Sequence, residues 1–344
     1  MTRKELLLYT LQNQFLLEKG SMQEVISGLC GLQAQFANNP RESLRIRAGD
    51  FSETAWNNGL LKIWTHRNTI HVVRKEELGL FLSAKGGNGP WRDGPSGFPA
   101  ASKRYWASFI RDKVAGGVDM REPLKAACRQ AGMDETAARY VFDGWGGLIK
   151  EMSDRGLIAY APGTEKRFVL PEEPGWMDRD AARRILLERY FTHFGPATVE
   201  DCAAFTGYRV KEVWDLLRKS GLPFKSVNGG GTVYFYLGAL HACRSLPACV
   251  YLSGFDQMIL GYKDRSRCLD PSDKLLAVNA AGIVYPGVLL YGRLCARWKK
   301  MPGKLQIEPF RPLSRTAQAL AAAKGRRLFA GERVAVSFLP PCRP

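Results

Sequence analysis

The sequence of 344 residues predicts an α+β protein, built from three tandem helix–hairpin units and a small β-rich domain near its C-terminus. Two observations support this fold class. One local pattern of a helix followed by two strands occurs three times, and strand-like apolar runs dominate beyond Leu237. Hydrophobic residues make up 45% of the chain and charged residues 24%, a composition typical of a globular protein with about two to three domains.

Each repeated unit is a helix that ends at a Gly-Leu pair, followed by a strand, a polar turn and a second strand. The three pairs begin at Gly59, Gly156 and Gly221. A glycine after a helix supplies the left-handed residue that ends it, and the next apolar residue packs back on the helix. A polar or glycine-rich turn between β-rich runs predicts a hairpin. Because a winged helix ends in this way, the sequence predicts three winged helices in tandem.

The third unit carries the most complete set of signals. Gly195 and Pro196 interrupt the chain, and Thr198 is then placed to cap a helix with an acidic first turn. Residues 210–219 lie where a winged helix has its recognition helix. The turn at residues 228–231 has the sequence Asn-Gly-Gly-Gly, which predicts a tight hairpin.

The positions of the repeats divide the chain into five segments. The interval between Gly59 and Gly156 contains a Gly/Pro-rich stretch, which we expect to be a linker or mobile loop. In the last segment, apolar runs predict strands at 248–251, 258–262, 282–291 and 305–310, and a closing helix at 316–325. The predicted segments are winged helix 1 (1–84), the linker (85–103), winged helix 2 (104–175), winged helix 3 (176–240) and the β-rich domain (241–344).

The charge balance predicts a polyanionic partner. Lys and Arg together number 50 against 33 Asp and Glu, which gives a formal net charge of +17. Nucleic acid is the favoured partner, because a basic surface gains affinity by releasing the counterions condensed on phosphates. A basic surface that only aids solubility is the alternative.

The cysteine and histidine spacing excludes the common metal sites. No two of the eight cysteines form a C-x-x-C pair, and the four histidines, among them His241, do not form an H-E-x-x-H helix. We therefore expect free thiols, Cys243 included, with no metal and no cofactor. The polar residues Gln12 and Asn13 interrupt the leucine-rich N-terminus, which predicts an amphipathic helix rather than a signal peptide. We expect a soluble, cytoplasmic protein.

The candidate catalytic motif is a pair of glutamines, Gln33 and Gln35, separated by one alanine. An amide carries a donor and an acceptor, so two amides in an irregular turn can hold a water molecule without adding charge. Surface glutamines with no function are the alternative. Phosphate-loop and G-x-S-x-G motifs are absent from the sequence, which argues against nucleotide hydrolysis and serine hydrolase chemistry.

Four stretches, in the same order, resemble the AlkZ/YcaQ-like winged-helix DNA glycosylases of bacteria. Residues 31–35 resemble the Q-x-Q motif of that family, and residues 64–71 resemble its W-x-x-R-G-T-(I/L/V)-H segment. Residues 191–201 resemble the start of its third winged helix, and residues 255–267 with 287–298 resemble its C-terminal domain.

The sequence departs from the family pattern in two places. Asn68 stands where the family usually has glycine, although asparagine tolerates left-handed backbone better than other non-glycine residues. The segment after Gln35, Phe-Ala-Asn-Asn-Pro, is longer than the usual D-P-R. Such a lengthening suits a subfamily with a different substrate or one in which the motif survives without activity.

The resemblance implies a C-shaped channel around duplex DNA and a DNA glycosylase that hydrolyses the N-glycosidic bond of alkylated purines. The substrates are of the N7-alkylguanine type, some of them bulky or crosslinked. Gln35 would hold the attacking water, with Gln33 as its partner. No lysine lies between Gln33 and Arg47, which favours a monofunctional enzyme, since a glycosylase that also nicks DNA uses an amine nucleophile.

We expect a monomer that contacts duplex DNA through basic and polar residues of the motif segments. A transcriptional regulator or another non-catalytic winged-helix DNA-binding protein is the alternative, because the same fold serves both functions. A bacterial cytoplasmic location, at the nucleoid during repair, follows from the expected function. The predicted DNA contacts are Arg45, Arg47, Lys62, His66, Arg67, Asn68, His71, Lys263, Arg265 and Arg267.

Overall fold

The computed structural model describes residues 1–94, 97–144, 146–163, 165–240 and 245–342. Predictions that concern Pro95 and Ser96 of the linker, Thr164 of the second hairpin turn, His241 and Cys243 lie outside these residues. The chain forms two compact units, one of Met1–Phe51 with Leu186–Pro344 and one of Ser52–Ile185. Within the described part, no helix is both long enough and apolar enough to cross a membrane. The five-segment division stays a prediction.

The chain contains both helices and β-sheets, with runs of helices and runs of strands, as expected for the α+β class. The first unit begins with α1 (Arg3–Asn13), α2 (Met22–Gly28), the short strand β1 (Leu32–Gln33) and α3 (Asn38–Arg47). The second unit contains α4 (Glu53–Gly59), β2 (Leu60–Trp64), β3 (Ile70–Arg74), α5 (Leu78–Lys85), α6 (Ala100–Ala115), α7 (Arg121–Gln130), α8 (Glu135–Val141), α9 (Gly147–Asp154), β4 (Ala159–Tyr160) and β5 (Phe168–Val169).

The chain re-enters the first unit within α10 (Arg179–His193). The remaining elements of that unit are α11 (Val199–Thr206), α12 (Val210–Lys219), β6 (Lys225–Gly229), β7 (Thr232–Tyr236), β8 (Cys249–Leu252), α13 (Gln257–Leu260), α14 (Lys274–Ala277), β9 (Gly287–Leu290), β10 (Arg293–Met301), β11 (Lys304–Pro309), α15 (Arg315–Leu328) and β12 (Ala335–Phe338).

All three predicted helix–hairpin endings are present, at α4–β2–β3, α9–β4–β5 and α12–β6–β7. Gly156 (φ 70°) and Gly221 (φ 66°) are left-handed, as the helix-stop signal requires. The prediction of a left-handed stop at Gly59 is wrong, because Gly59 is the last residue of α4 and the chain passes directly into extended Leu60 (φ −128°). The winged-helix assignment goes beyond these endings and stays a prediction.

The two hairpins of the second unit pair into one antiparallel sheet, with neighbouring strands in the order β3-β2-β4-β5. The register sets Lys62 opposite Tyr160. Tyr160 packs between Trp64 (ring centroids 5.5 Å apart) and Phe168 (4.7 Å), beside the core formed with α6–α9. The predicted winged helices 1 and 2 therefore contribute strands to one sheet and side chains to one core, both within the second compact unit.

The first hairpin closes through two consecutive left-handed residues, Arg67 (φ 52°) and Asn68 (φ 55°). The turn is held by the Thr65 amide, which donates to the Thr69 carbonyl at 3.0 Å, and by the Thr69 amide, which donates to the His66 carbonyl at 3.0 Å. Asn68 thus adopts a left-handed conformation, which asparagine tolerates better than other non-glycine residues.

The C-terminal part of the first unit contains a five-stranded sheet in the order β12-β11-β10-β9-β8, with α15 packed on one face. The strand predicted at 258–262 is wrong, because these residues lie in and after helix α13. The Asp256 side chain caps this helix by accepting from the Met258 amide at 2.8 Å. Strands β10 and β12 lie outside all the predicted runs.

A buried ion pair joins α3 to the start of α13. The Arg47 guanidinium donates to both Asp256 carboxylate oxygens, at 2.7 and 3.0 Å, and neither side chain is exposed to solvent. Arg47 also donates to the Gln14 carbonyl at 3.0 Å. Asp256 accepts further from the Ser253 amide and from the Met258 amide. The hydrogen bonds from these partners offset the desolvation cost of burying the two charges.

We predict that Asp256→Asn lowers the free energy of unfolding by about 3–5 kcal/mol, because it leaves the Arg47 charge buried without its counterion. The exposed pair Arg218–Asp215 is the matched control, with side chains 70% and 39% exposed. Asp215→Asn should leave the free energy of unfolding nearly unchanged, because solvent screens an exposed pair. Urea denaturation of both variants measures the difference, and equal losses would contradict a structural role for the buried pair.

Candidate catalytic turn and motif groove

The glutamine motif follows a sharp change of chain direction after α2. Cys30 (φ 55°) and Gly31 (φ 83°) are both left-handed, and the Gly31 amide donates to the Ile26 carbonyl at 2.8 Å. This pattern closes a helix and sends the chain out in extended form through Leu32 and Gln33. The next helix, α3, starts only at Asn38, so Gln35 lies in an irregular turn. We call residues 33–37 the catalytic turn, after the role that the sequence predicts for its two glutamines.

The buried cluster around Asp256 also anchors the residues that flank this turn. The Gln257 amide nitrogen donates to the Gly31 carbonyl at 2.8 Å, in the protein interior. The ring of Phe36 lies 5.8 Å from that of Phe255. A Cβ at Gly254 would lie 2.6 Å from Asn39 Oδ1, so only glycine permits this approach. The residues on both sides of Gln33 and Gln35 therefore pack against one segment, residues 253–259.

The two glutamines lie at different depths. Gln33 is only 6% exposed, whereas Gln35 is exposed. A buried amide is fixed by its surroundings and can orient a neighbour, while an exposed amide can reach a water molecule or an incoming ligand. Gln33 is therefore the inner amide of the turn, and Gln35 is the outer one.

A groove opens directly beside the catalytic turn. Its volume is about 450 Å³, and it lies between the start of α3 and the strands β10 and β11. Phe36, the residue after Gln35, forms part of its wall and is 51% exposed. We call this cavity the motif groove. Its lining residues are Phe36, Asn38, Asn39, Glu42, Tyr285, Pro286, Arg297, Trp298, Lys299, Lys300, Gln306, Glu308 and Leu339.

Glu42 is the desolvated acid of this groove. Burial raises the pKa of its carboxyl to about 7, against the opposing charges of Arg45 and Lys300. Those two cations are both paired with Glu332, at 3.2 and 2.6 Å. Within the described residues Glu42 itself forms no ion pair. Strongly shifted acids of this kind concentrate at functional sites.

The structure separates the two arginines predicted to contact DNA next to the motif. Arg45 is partly exposed and lies 5.2 Å from the centre of the Phe329 ring. Arg47 is wholly buried in the pair with Asp256. A phosphate cannot reach Arg47 without breaking that pair, so its place among the surface contacts is corrected to a structural role.

Three predicted DNA contacts of the first hairpin lie in the interior of the protein. Lys62 donates to the Gly163 carbonyl at 2.7 Å, and burial, with the charge of Lys166, lowers its pKa to about 8. His66 is 5% exposed. His71 Nδ1 lies 2.8 Å from the Thr65 hydroxyl, and burial lowers the pKa of His71 well below its usual range.

Those burials correct the surface role given to Lys62, His66 and His71. A buried group with protein partners, or a neutral buried imidazole, contributes little to phosphate binding at the surface. At the hairpin tip, by contrast, Asn68 is exposed and Arg67 is half-buried. Of the residues predicted to contact DNA in this hairpin, Arg67 and Asn68 at its tip are therefore the ones accessible to a ligand.

The predicted contacts around α13 divide in the same way. Lys263 is exposed, and Arg265 is half-buried and donates to the Ile259 carbonyl at 3.1 Å. Arg267 is buried, with its guanidinium 3.5 Å from the centre of the Tyr262 ring and 2.9 Å from the Thr10 hydroxyl. Arg267 therefore stabilises the protein interior through these contacts, which corrects its assignment to phosphate binding.

No metal centre is found among the residues that the structure describes, because no three His, Cys, Asp or Glu side chains there are grouped to hold an ion. The described cysteines are free thiols, as predicted, and Cys243 lies outside this set. Asp256 and Gln257 had no predicted role, although both lie in the stretch 255–267 that resembles the family's C-terminal domain. The local signal that could have found Asp256 is its position as the cap of helix α13.

Comparison with known proteins supports the predicted resemblance. Residues 26–330 match the family described as DNA glycosylase AlkZ-like. The interstrand DNA cross-link repair glycosylase of Streptomyces sahachiroi is 27% identical over 347 residues, which cover 89% of this chain and 90% of that protein. The structure of Streptomyces sahachiroi DNA glycosylase AlkZ has the same fold, with a TM-score of 0.77 and 24% identity over 98% of this chain and 100% of that one. The chain therefore belongs to the family of AlkZ-like DNA glycosylases.

Proposed function

We propose that this DNA glycosylase is a monofunctional hydrolase that cleaves the N-glycosidic bond of alkylated purines, of the N7-alkylguanine type, in duplex DNA. The observation that carries the proposal is the catalytic turn, where Gln33 and Gln35 follow the turn at Gly31 that Gln257 anchors. The name of the Streptomyces relative refers to repair of interstrand cross-links. Bulky or crosslinked adducts are therefore included in the proposed substrate class.

Two neutral amides suit this reaction. An N7-alkylguanine already carries a positive charge, so it leaves readily and needs little help from a general acid. The enzyme has to place a water molecule at C1′ and stabilise positive charge that develops on the sugar, which is a matter of position and electrostatics. Exposed Gln35 takes the water-holding role, and buried Gln33 orients it.

The rigidity of the turn supports this assignment. A catalytic group has to be held within about 0.5 Å of its productive position by its supporting contacts. Here the Gly31 carbonyl is held by Gln257, which directly follows Asp256, the partner of Arg47. The turn is therefore attached to the buried ion pair on both sides, through Gly31 before it and through α3 after it.

Binding to DNA is proposed to use the accessible members of the predicted set, among them exposed Asn68 and Lys263 and partly exposed Arg45. The net charge of +17 favours such binding by release of counterions. Winged-helix units that enclose the duplex, with the protein as a monomer, complete the proposal.

The direct test is incubation with duplex DNA that contains N7-methylguanine. We expect free N7-methylguanine together with alkali-labile sites in the strand. Tight DNA binding without release of base would instead favour the non-catalytic DNA-binding alternative.

We predict that Gln35→Ala lowers the single-turnover excision rate by about 10²–10³-fold, the usual effect of removing one group that stabilises a transition state. Because Gln35 is exposed, the thermal stability of the variant should stay unchanged. Gln33→Ala should lower the rate similarly, with a modest loss of stability because its site is buried.

The matched control for both variants is Gln23→Ala, an exposed glutamine on α2. It should leave rate and stability as they are. Excision by Gln35→Ala at the rate of the unmodified protein would remove the water-holding role from that residue.

Glu42 provides a prediction about pH and stability. Its carboxyl has a pKa of about 7 in the folded protein and an ordinary value of 4.5. The native state therefore holds a proton that the unfolded chain releases between these values, so stability falls as the pH rises from 4.5 to 7. Glu42→Gln should remove this loss, with a gain of up to about 3 kcal/mol above pH 7 and little gain near pH 4. Urea denaturation at both pH values measures it, and a pH-independent effect would contradict the burial of this carboxyl.

Borohydride trapping tests the monofunctional character. A glycosylase that also nicks DNA forms a Schiff base between an amine and C1′, which borohydride reduces to a stable adduct. Lys62 is the amine to exclude, since its pKa is lowered to about 8, but its Nζ already donates to the Gly163 carbonyl. We expect no covalent complex during turnover on alkylated DNA. A complex that disappears in Lys62→Ala would make Lys62 the nucleophile and reduce the glutamines to base recognition.

A further inference from the structure

We propose that Gln257 is a positioning residue of the reaction, which sets the excision rate by holding the Gly31 carbonyl and, through it, the two glutamines of the catalytic turn. This inference rests on the proposed function, since Gln257 would act on the same reaction. It gives a part in the reaction to a residue outside the glutamine motif, one that cannot touch the substrate because it is only 1% exposed.

The first argument is the short path from Gln257 to the motif. The side-chain nitrogen of Gln257 donates to the Gly31 carbonyl at 2.8 Å. Only Leu32 separates Gly31 from Gln33, and Leu32 and Gln33 form the extended strand β1. An extended chain is already near its full length of about 3.3–3.6 Å per residue. A shift of Gly31 would therefore move Gln33 as well.

The second argument is the backbone that Gln257 supports. Cys30 (φ 55°) and Gly31 (φ 83°) are both left-handed. A non-glycine residue keeps such a conformation only where the surrounding contacts hold it. The Gly31 amide donates to the Ile26 carbonyl at 2.8 Å, and Gln257 holds the carbonyl of the same glycine. Both polar groups of Gly31 are therefore fixed, one by α2 and the other by α13.

The third argument is that Gln257 is itself held in place. It is the first residue of α13 and directly follows Asp256, whose carboxylate pairs with Arg47. Its own carbonyl accepts from the Gly261 amide at 2.8 Å. A Cβ at Gly261 would clash with the ring of Phe194, so this end of the helix is closely packed as well. The Gln257 side chain can therefore serve as a fixed support.

The fourth argument is an unsatisfied atom. The side-chain oxygen of Gln257 is buried and accepts no hydrogen bond from the residues that the structure describes. A buried polar atom without a partner lowers stability. A methionine of similar length would avoid this loss, although it would leave the Gly31 carbonyl without its donor. The amide therefore brings little net stability, which favours a role in positioning.

The alternative is a contact that only stabilises the fold. Loss of a structural contact lowers the free energy of unfolding and leaves the rate of the folded molecules intact. Loss of a positioning contact lowers the rate even when all the substrate is bound, because a misplacement of about 1 Å can slow a reaction by about 10²-fold. The two roles therefore differ in a measurable way.

The first test measures single-turnover excision of N7-methylguanine from duplex DNA at saturating protein. We expect Gln257→Met to be slower by about 10²-fold, with unchanged affinity for the duplex. Gln318→Met is the matched control, because the Gln318 side-chain nitrogen also donates to a backbone carbonyl, that of Leu313, at 3.1 Å. It should keep the rate of the unmodified protein. Urea denaturation establishes that both variants are folded under the assay conditions.

A double-mutant cycle tests whether Gln257 acts through the motif. If it does, Gln257→Met should slow Gln35→Ala by less than about threefold, because the group that it positions is already missing. An independent role would instead slow Gln35→Ala by about 10²-fold again.

Gln257→Glu adds a rescue by pH. A protonated carboxyl can donate to the Gly31 carbonyl, whereas an ionised carboxylate cannot. Burial raises the pKa of a carboxyl, which extends the protonated form above its usual range. We expect this variant to excise at close to the unmodified rate near pH 5 and at least about tenfold more slowly near pH 8, a fall that the unmodified protein lacks. Urea denaturation at both pH values shows whether the variant is folded.

The outcomes distinguish this inference from the proposed function. Release of N7-methylguanine by the unmodified protein, with slow release by Gln35→Ala, supports the proposed function. If Gln257→Met then keeps the unmodified rate, or slows Gln35→Ala as much as it slows the unmodified protein, Gln257 has a structural role and the inference is wrong. If no base is released from any alkylated duplex, the proposed function fails first and the inference fails with it.

Discussion

The ion pair between Arg47 and Asp256 is the interaction on which the rest of the candidate site depends. It joins residues 209 positions apart and is inaccessible to solvent. Two buried charges are costly unless each is fully hydrogen-bonded, so the pair requires Gln14, Ser43 and Ser253 to remain where they are. Such a pair determines the relative position of the segments it joins more than it raises the free energy of unfolding. It fixes α3 and α13 in one relative position, and the catalytic turn lies between α3 and the Gly31 carbonyl that α13 holds.

The local parts of this architecture were predictable from the sequence. Helix stops at Gly156 and Gly221 and the hairpins after them follow from backbone preferences that act within a few residues. The Asn68 turn was predictable for the same reason. What could not be predicted is how distant segments pair. No local signal indicates that two hairpins share one sheet through Lys62 and Tyr160, since that contact depends on tertiary packing.

The candidate site shows the same division. Gln33 and Gln35 were found by a motif, but their different depths depend on a turn whose anchor, Gln257, lies more than two hundred residues away. Net charge was a similarly incomplete guide. It predicts a polyanionic partner for the whole surface, but it cannot tell exposed Lys263 from Arg267, which is buried against Tyr262. Arginine serves both purposes, because its planar guanidinium suits buried ion pairs and aromatic faces as well as phosphates.

The two neutral amides proposed as catalytic groups suit the way in which charge moves during the proposed reaction. A carboxylate near a cationic base stabilises the bound lesion, but the positive charge of the base moves to the sugar as the bond breaks. An acid next to the base would therefore strengthen ground-state binding more than it would accelerate cleavage. Acceleration has to come from groups directed at the sugar and the water, and neutral amides can act there without holding the charge on the base. The proposed role of two uncharged glutamines is thus compatible with a cationic leaving group, because they would act on the sugar and the water and leave the charge on the base unchanged.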